Sequence, residues 1–109
     1  MKKSLRIKKR YFFDIRNGLK PLEARCGYPS LRRIQAGDQI EFQWNDDVCL
    51  KTVKTVREYL TVGAMLEKEN IPQLLPGVST YAEAFQIYSE IYSAKKVKQN
   101  GGMLVFELE

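Results

Sequence analysis

The sequence contains no histidine, only two cysteines and no long apolar run. Without histidine, Ser-His-Asp and Cys-His catalytic schemes are excluded, so any proton transfer would depend on lysine, a carboxylate or tyrosine. Cys26 and Cys49 do not form a CxxC pair, and the chain cannot supply the ligands of a zinc site. We therefore expect neither a metal nor a cofactor. Because no stretch of about 20 apolar residues is present, no membrane-spanning helix is expected.

The two cysteines and the N-terminal stretch bear on cellular location. Free buried thiols are the favoured interpretation of Cys26 and Cys49 over a disulfide, as is usual in a reducing cytoplasm. Residues 1–10 are basic, but no apolar segment of about 7 to 15 residues follows them, so a signal peptide is not expected. Together these features predict a cytoplasmic protein.

The length of 109 residues and the apolar fraction of 44% predict one globular domain, residues 1–109. No internal repeat, linker or low-complexity tract divides the chain. A domain of this size leaves much of its surface in water, so a single modest core is expected.

Positive charge is concentrated in the first third of the chain. Residues 1–33 carry eleven Lys or Arg against two acids, a balance of +9, and the remainder carries seven against eleven, a balance of −4. A basic segment on a mildly acidic body favours an anionic partner, with phosphate as the obvious candidate. The alternative is a solubilising face with no specific partner.

Hydrophobic periodicity predicts an α+β fold. Ile40, Phe42 and Trp44 alternate with polar residues, as on a half-buried strand. Thr80 with Glu83 forms the capping box of a helix start. In order, the predicted elements are a strand at 4–8, a helix at 9–17 ended by Gly18, a strand at 21–25, strands at 39–44 and 48–59 joined by a turn at 45–47, helices at 61–70 and 80–92, and a strand at 103–108. This order suggests a small β-barrel flanked by helices.

The segment GLKPLEAR, residues 18–25, concentrates charge at the start of a strand. Glu23 and Arg25 are two apart on the strand and therefore share a face, where they can pair. Lys20 lies in the preceding turn and can bend toward them. Solvated charges remain the alternative interpretation, and an exposed ion pair would contribute about 0–1 kcal/mol.

Two motifs in this order resemble the ASCH domain, a family in the PUA-like superfamily. The first is Gly-x-Lys-x-x-Glu-x-Arg at residues 18–25, and the second is Ile-x-x-Gly-Asp-x-Ile-x-Phe at residues 34–42. Residues 65–92 are similar to the two-helix insertion of small stand-alone prokaryotic members. The resemblance implies a small barrel packed against helices, with the first motif lining a cleft, and a role connected with RNA.

The first motif, together with charged and aromatic residues elsewhere in the chain, predicts a set of ligand-binding residues. We expect an anionic or polar ligand to be bound by residues of the first motif and of the basic loop that follows it, with Tyr88 available to stack on a base. The expected ligand-binding residues are Gly18, Lys20, Glu23, Arg25, Tyr28, Arg32, Arg33 and Tyr88. For Tyr88 a core position is the alternative, and for Arg32 and Arg33 a solvated loop.

Some members of the family hydrolyse the acyl amide of acylated cytidine nucleosides. In that branch a threonine follows the motif lysine by three residues, but here Glu23 occupies this position, so the threonine mechanism does not transfer. A water-activating scheme would use Lys20 and Glu23, with Glu69 or Glu67 as a further carboxylate. The expected catalytic residues, if the protein is an enzyme, are Lys20, Glu23 and Glu69.

Three function classes follow from the sequence. The first is a binding module for nucleic acid, with RNA favoured, or for a nucleotide. The second is a small hydrolase acting on a modified nucleoside or a phosphodiester. The third is an interaction module with a protein partner.

Overall fold

The structure, a computed structural model, describes all 109 residues and consists of one five-stranded sheet and five helices. The elements in chain order are β1 Lys2–Arg6, α1 Lys9–Arg16, β2 Leu22–Cys26, β3 Gln39–Trp44, β4 Asp47–Tyr59, α2 Val62–Lys68, α3 Ile71–Leu74, α4 Tyr81–Ile91, α5 Ala94–Gln99 and β5 Met103–Leu108. The predicted α+β class is confirmed.

The strands lie in the order β1-β3-β4-β5-β2, so β1 and β2 form the two edges of the sheet. The β1–β3 pairing is parallel, and the other three pairings are antiparallel. The 13-residue β4 pairs with β3 through its first half and with β5 through its second, with a register shift between Val53 and Thr55. A bulge of this kind bends a strand, and here it divides the sheet into two halves.

The two edge strands approach each other because the sheet curls into a half-barrel. They share no backbone pairing, but the Nη2 atom of Arg25 on β2 donates to the carbonyl of Arg6 at the end of β1, at 3.0 Å. The result is an open seam between β1 and β2 rather than a closed barrel. The candidate functional site lies in this seam.

The core consists of two clusters on opposite faces of β5, not the single core that length suggested. Met103 and Val105 pack toward helices α2–α5, and Leu104, Phe106 and Leu108 pack into the half-barrel beside α1. The first cluster, the helix core, contains Leu22, Ala24, Cys26, Val62, Met65, Leu66, Leu74, Leu75, Val78, Ala84, Tyr88, Val97, Met103 and Val105. The second, the barrel core, contains Leu5, Phe12, Ile15, Leu31, Ile34, Ile40, Phe42, Val53, Leu104, Phe106 and Leu108. A strand buried on both faces explains the near-continuous apolar run MLVFEL.

Helix α1 begins and ends close to the predicted positions. Phe12 and Ile15 form its buried stripe, and Gly18 follows with a φ of +80°, the left-handed conformation that glycine adopts without steric cost. The Gly18 amide donates to the carbonyl of Ile15 at 3.2 Å, which closes the helix end. The chain then turns sharply into the segment that contains Lys20.

Four short helices follow β4, where the sequence predicted two. Each begins at a side-chain cap, formed by Thr61, Asn70, Thr80 and Ser93 in turn. The two unpredicted helices, α3 and α5, have four and six residues and bury only Leu74 and Val97, so they show no helical periodicity. Strand β1 also lies two residues earlier than predicted, at Lys2–Arg6 instead of residues 4–8.

Both cysteines are free thiols; Cys26 is buried and Cys49 is half-buried. None of the helices is long and apolar enough to cross a membrane.

Candidate functional site

A cavity of about 170 Å³ lies in the seam between β1 and β2, covered by the C-terminal half of α4. We call it the seam cavity. It receives side chains from the end of β1, from α1, from the turn before β2, from β2 itself and from α4. The lining residues are Arg6, Ile7, Lys8, Tyr11, Lys20, Glu23, Ala24, Arg25, Leu75, Tyr88, Ile91 and Tyr92.

Lys20 is a buried cation whose ammonium group is fully engaged by the protein. Only 2% of the residue is exposed. Its Nζ donates to the carbonyl of Leu22 at 2.7 Å and to the carbonyl of Leu74, and it lies 3.1 Å from Oε1 of Glu23. The ammonium also lies 5.4 Å from the ring centroid of Tyr11. Because a lysine has three N–H donors, these three acceptors use all of them.

Glu23 joins the two cations of the motif. Its Oε1 faces Lys20, and its Oε2 accepts from Nε of Arg25 at 2.6 Å. Burial raises the pKa of Glu23, but the positive charges of Lys20 and Arg25 outweigh this effect and hold the pKa below its ordinary value. Glu23 is therefore an anion at neutral pH, and the three groups together carry one net positive charge.

Arg25 is the member of the motif that retains free hydrogen-bond donors. Its Nε is bound to Glu23 and its Nη2 to the carbonyl of Arg6, whereas Nη1 makes no hydrogen bond within the protein. The side chain is 20% exposed and lines the seam cavity. Burial lowers the pKa of Arg25, but Glu23 raises it further, so the guanidinium stays charged. Two fixed bonds therefore orient the guanidinium, whose remaining edge is open to a ligand.

Three tyrosines form the aromatic wall of the seam cavity: Tyr11 from α1, and Tyr88 and Tyr92 from the end of α4. Tyr88 is 3% exposed, and burial together with the nearby carboxylate of Glu23 raises its pKa well above the ordinary value. Burial also raises the pKa of Tyr92. Both phenols are therefore protonated at neutral pH, and they combine an apolar face with a polar tip.

Two further cations, Arg6 and Lys8, lie at the mouth of the seam cavity. Both residues are exposed, and neither forms an ion pair with a carboxylate of the protein. Among the other cations near the cavity, Lys20 and Arg25 share the single carboxylate of Glu23, and Arg10 is paired in part with Asp14 at 4.0 Å. Arg6 and Lys8 thus add unpaired positive charge to the one net charge of the motif.

The structure separates the remaining predicted ligand residues from the seam cavity. Gly18 is exposed at the end of α1, and Tyr28 is half-buried against both cores. Arg32 donates from Nε to the carbonyl of Gly27 at 2.9 Å, from Nη2 to the carbonyl of Asn100 at 2.8 Å, and from Nη1 to Glu58. Arg33 is exposed in the same loop. None of these four residues lines the cavity that contains Lys20, Glu23, Arg25 and Tyr88.

Glu69 belongs to a different polar cluster. It follows α2 and accepts two hydrogen bonds of 2.7 Å from the guanidinium of Arg57, and one from the hydroxyl of Tyr59. Burial raises the pKa of Glu69, but the bonds from Arg57 and Tyr59 lower it overall. Glu69 lines a hollow with Arg57, Asn70, Gln73 and Glu107, not the seam cavity. The structure therefore brings Lys20 and Glu23 together but does not add Glu69 to them.

The family model of the ASCH domain matches residues 5–105. The chain belongs to the ASCH domain family. The fold of this ASCH domain matches the crystal structure of hypothetical protein PH0355 with a TM-score of 0.91 and 32% sequence identity, over 100% of this chain and 98% of that one. It also matches the solution NMR structure of Protein PF0455 from Pyrococcus furiosus with a TM-score of 0.80 and 30% identity, over 100% and 96%. None of the curated proteins matches the chain significantly.

ASCH domains are generally thought to bind RNA, so membership in the family supports nucleic-acid binding as a coarse function. The resemblance inferred from the two motifs is confirmed.

Several residues of the seam cavity were not singled out from the sequence. Ile7, Leu75 and Ile91 are apolar lining residues, Tyr92 adds a phenol, and Arg6 and Lys8 add positive charge. The basic run at residues 1–10 carried a signal for Arg6 and Lys8, but no pattern indicated that β1 would end beside β2.

Proposed function

We propose that this ASCH domain binds single-stranded nucleic acid, with RNA favoured, or a nucleotide, in the seam cavity. The observation that carries the proposal is the guanidinium of Arg25, which two internal bonds orient while Nη1 stays free. Arg6 and Lys8 add unpaired positive charge at the cavity mouth. An oriented arginine is well suited to a phosphate or a base carbonyl because its planar donors bind two acceptor atoms at once.

In this proposal Lys20 and Glu23 position Arg25. Lys20 has no spare donor, so it acts through Glu23, which in turn fixes Nε of Arg25. The tyrosine wall, above all Tyr92 at the edge, offers an aromatic surface to a base.

The size of the seam cavity limits what enters it. The volume of the seam cavity is about 170 Å³. One base or one phosphate group matches this volume, and a duplex does not. A single-stranded ligand fits because its bases are free to leave the stack.

The test compares two variants that each remove one positive charge. Arg25→Gln alters the seam cavity, whereas Lys68→Gln alters an exposed lysine at the end of α2. Binding of a labelled single-stranded RNA is measured between low and high salt. We expect Arg25→Gln to weaken binding by about 10- to 100-fold, as for a lost charge-assisted hydrogen bond, and Lys68→Gln to change it less than about twofold.

Two results would reject the proposal. One is an equal loss in both variants, which would indicate non-specific attraction to the net positive charge. The other is an affinity for RNA that does not change with salt, because phosphate contacts require that it falls.

Hydrolysis is a second candidate, favoured by one observation: a lysine and a carboxylate lie 3.1 Å apart in a cavity walled by tyrosines. The same geometry sets a condition, because the ammonium of Lys20 is held by three acceptors and the pKa of Glu23 is lowered. Substrate would have to displace one of these bonds before either group could exchange a proton. To test for hydrolysis, the wild type and Glu23→Gln are each incubated with acylated cytidine nucleosides and with labelled RNA. Activity that survives in Glu23→Gln excludes this mechanism.

A further inference from the structure

A second hollow adjoins the seam cavity at the β3–β4 hairpin. Its volume is about 600 Å³, and its lining residues are Arg6, Ile7, Gln43, Trp44, Asn45 and Asp46. We call it the hairpin groove. Arg6 and Ile7 line both hollows, so the hairpin groove and the seam cavity are adjacent.

Trp44 is the aromatic residue of the hairpin groove, and its neighbours hold it in place. The indole is half-buried, with its ring centroid 5.5 Å from that of Phe13 in an edge contact, and it packs against the barrel core. The ammonium of Lys9 lies 5.4 Å from the centroid of the indole. Trp44 is also one of the residues that line the groove, beside Arg6.

The polar groups of the hairpin groove suit the edge of a base. The amides of Gln43 and Asn45 offer both donors and acceptors, and Asp46 offers a carboxylate acceptor. These are the groups that recognise base edges in nucleic acids. The carboxylate of Asp46 makes this end of the groove unfavourable for a phosphate, whereas the unpaired cations Arg6 and Lys8 lie at the wall nearest the seam cavity.

We propose that the hairpin groove binds a second nucleotide, adjacent in the strand to the one held in the seam cavity. The base lies against Trp44 and contacts Gln43 and Asn45, and the linking phosphate lies over Arg6 and Lys8. This inference rests on the proposed function and extends it, because it makes a strand of at least two nucleotides, not a free nucleotide, the preferred ligand.

Trp44 is the only tryptophan of the chain, so tryptophan fluorescence of the folded protein reports on the surroundings of this one indole, which include the hairpin groove. The wild-type protein is titrated with 5′-mononucleotides and with single-stranded tetranucleotides of the same bases, and calorimetry measures affinity in parallel. We expect tetranucleotides to quench Trp44 and to bind at least about tenfold more tightly, because base stacking on an aromatic ring contributes substantially to affinity. Mononucleotides are expected to leave Trp44 fluorescence nearly unchanged.

Variants of the groove test the contacts without disturbing the core. Asn45 has a φ of +51°, so Asn45→Gly removes its amide while the turn keeps a conformation that glycine readily adopts. Gln43→Ala removes the second amide, and Gln35→Ala is the matched control at an exposed position outside both hollows. Asn45→Gly and Gln43→Ala should each weaken tetranucleotide binding by at least about threefold and mononucleotide binding less, since each loses one base contact.

The outcomes separate this inference from the proposed function. If mononucleotides and tetranucleotides bind equally well, Trp44 is unaffected and Arg25→Gln abolishes both, then the seam cavity binds nucleotides and the second subsite is wrong. If neither ligand binds at any salt concentration, both the proposed function and the subsite are wrong.

Discussion

The carboxylate of Glu23 pairs with two cations, Lys20 through one oxygen and Arg25 through the other. These two pairs determine which N–H donors of the motif remain free to bind a ligand. All three N–H donors of Lys20 are used by Glu23 and two backbone carbonyls. Arg25 uses only Nε and Nη2 within the protein, and its Nη1 remains free. Two chemically similar charges in one short motif thus take different roles, one internal and one facing the cavity. The strand geometry that places Glu23 and Arg25 on one face makes this division possible.

Replacing Lys20 by methionine should destabilise the protein strongly. Lys20→Met keeps the buried aliphatic volume but leaves Glu23 without one partner and leaves two carbonyls without a donor, which we expect to cost about 3–5 kcal/mol of unfolding free energy. Urea denaturation followed by circular dichroism measures this. The double variant Lys20→Met with Glu23→Gln should be less destabilised than the two single changes added together. A loss below about 1 kcal/mol in Lys20→Met would contradict a buried, fully engaged ammonium.

Stability should fall in acid partly through Glu23. The pKa of Glu23 in the folded protein lies below the ordinary value of a glutamate, so the unfolded chain binds more protons in acid and stability rises with pH. The contribution is present above the unfolded pKa and is lost as pH falls through the folded one. We expect a flatter stability profile between about pH 5 and pH 3 in Glu23→Gln, measured by urea midpoints.

Glu67→Gln is the control for this profile, because Glu67 is exposed and forms no ion pair. Its profile should run parallel to that of the wild type. Glu69 also has a lowered pKa, so the slope in Glu23→Gln should decrease without vanishing. An unchanged slope in Glu23→Gln would show that the carboxylate is not held by its two cations.

Among the elements, the loop between β2 and β3 depends on one side chain. The guanidinium of Arg32 joins Gly27 in this loop to Asn100 after α5, and it also reaches Glu58 on β4. The guanidinium packs so closely against Gly27 that a Cβ added there would overlap its Nη2 atom. Of the two arginines predicted to contact phosphate, Arg32 therefore has its donors engaged by the fold, whereas a ligand role for Arg33 stays a prediction.

Arg32→Gln and Arg33→Gln form a matched pair that tests this difference. We expect Arg32→Gln to increase amide hydrogen exchange at residues 27–34 and 99–102, because it removes bonds to two backbone carbonyls there. Arg33→Gln should leave exchange in both segments as in the wild type. Equal exchange in the two variants would mean that Arg32 does not hold the loop.

For the whole molecule, the two cores share β5 and should unfold together. Met103 and Val105 belong to the helix core and Leu104 and Phe106 to the barrel core, so neither cluster can lose its strand without exposing the other. Thermal unfolding should therefore give coincident midpoints by circular dichroism and by Trp44 fluorescence. Two separated midpoints would show that the cores are independent.

A core variant extends this test across β5. Met103→Ala creates a cavity in the helix core and should cost about 2–5 kcal/mol. Trp44, which packs against the barrel core, should report the same lowered midpoint as circular dichroism. A shift seen by circular dichroism alone would contradict cooperative unfolding.

In the folded molecule, the basic first third of the chain lies around the seam cavity. Residues 1–33 contain β1, α1 and β2, the elements that border the seam, so the basic part of the sequence surrounds the cavity. The more acidic remainder supplies β3, β4, α2–α5 and β5. The prediction of an anionic partner and the position of the seam cavity thus agree, although they come from different observations.

Local patterns predicted the elements that have clear periodicity or capping. The β3 strand, α1 with its glycine end, the Thr80 cap of α4 and the Glu23–Arg25 pairing all follow from neighbours in the sequence. Helices α3 and α5 were not predicted from the sequence, because a helix of one or two turns with a single buried residue has the same pattern as a loop. The sequence also did not predict that Glu69 lies apart from Lys20. Glu69 pairs with Arg57 on β4, and the spacing of residues along the chain does not reveal this partner.

The sequence by itself determined the α+β class, the resemblance to the ASCH family and the residues of the charged motif, because these depend on residues that are close together in the chain. Only the tertiary structure decided that β1 and β2 face each other across a seam, and that the ammonium of Lys20 turns inward to Leu22 and Leu74 while Arg25 keeps a free edge. The reason is that a curled sheet brings together strands distant in the chain. Which N–H donors remain free then depends on contacts between elements that are far apart in the sequence.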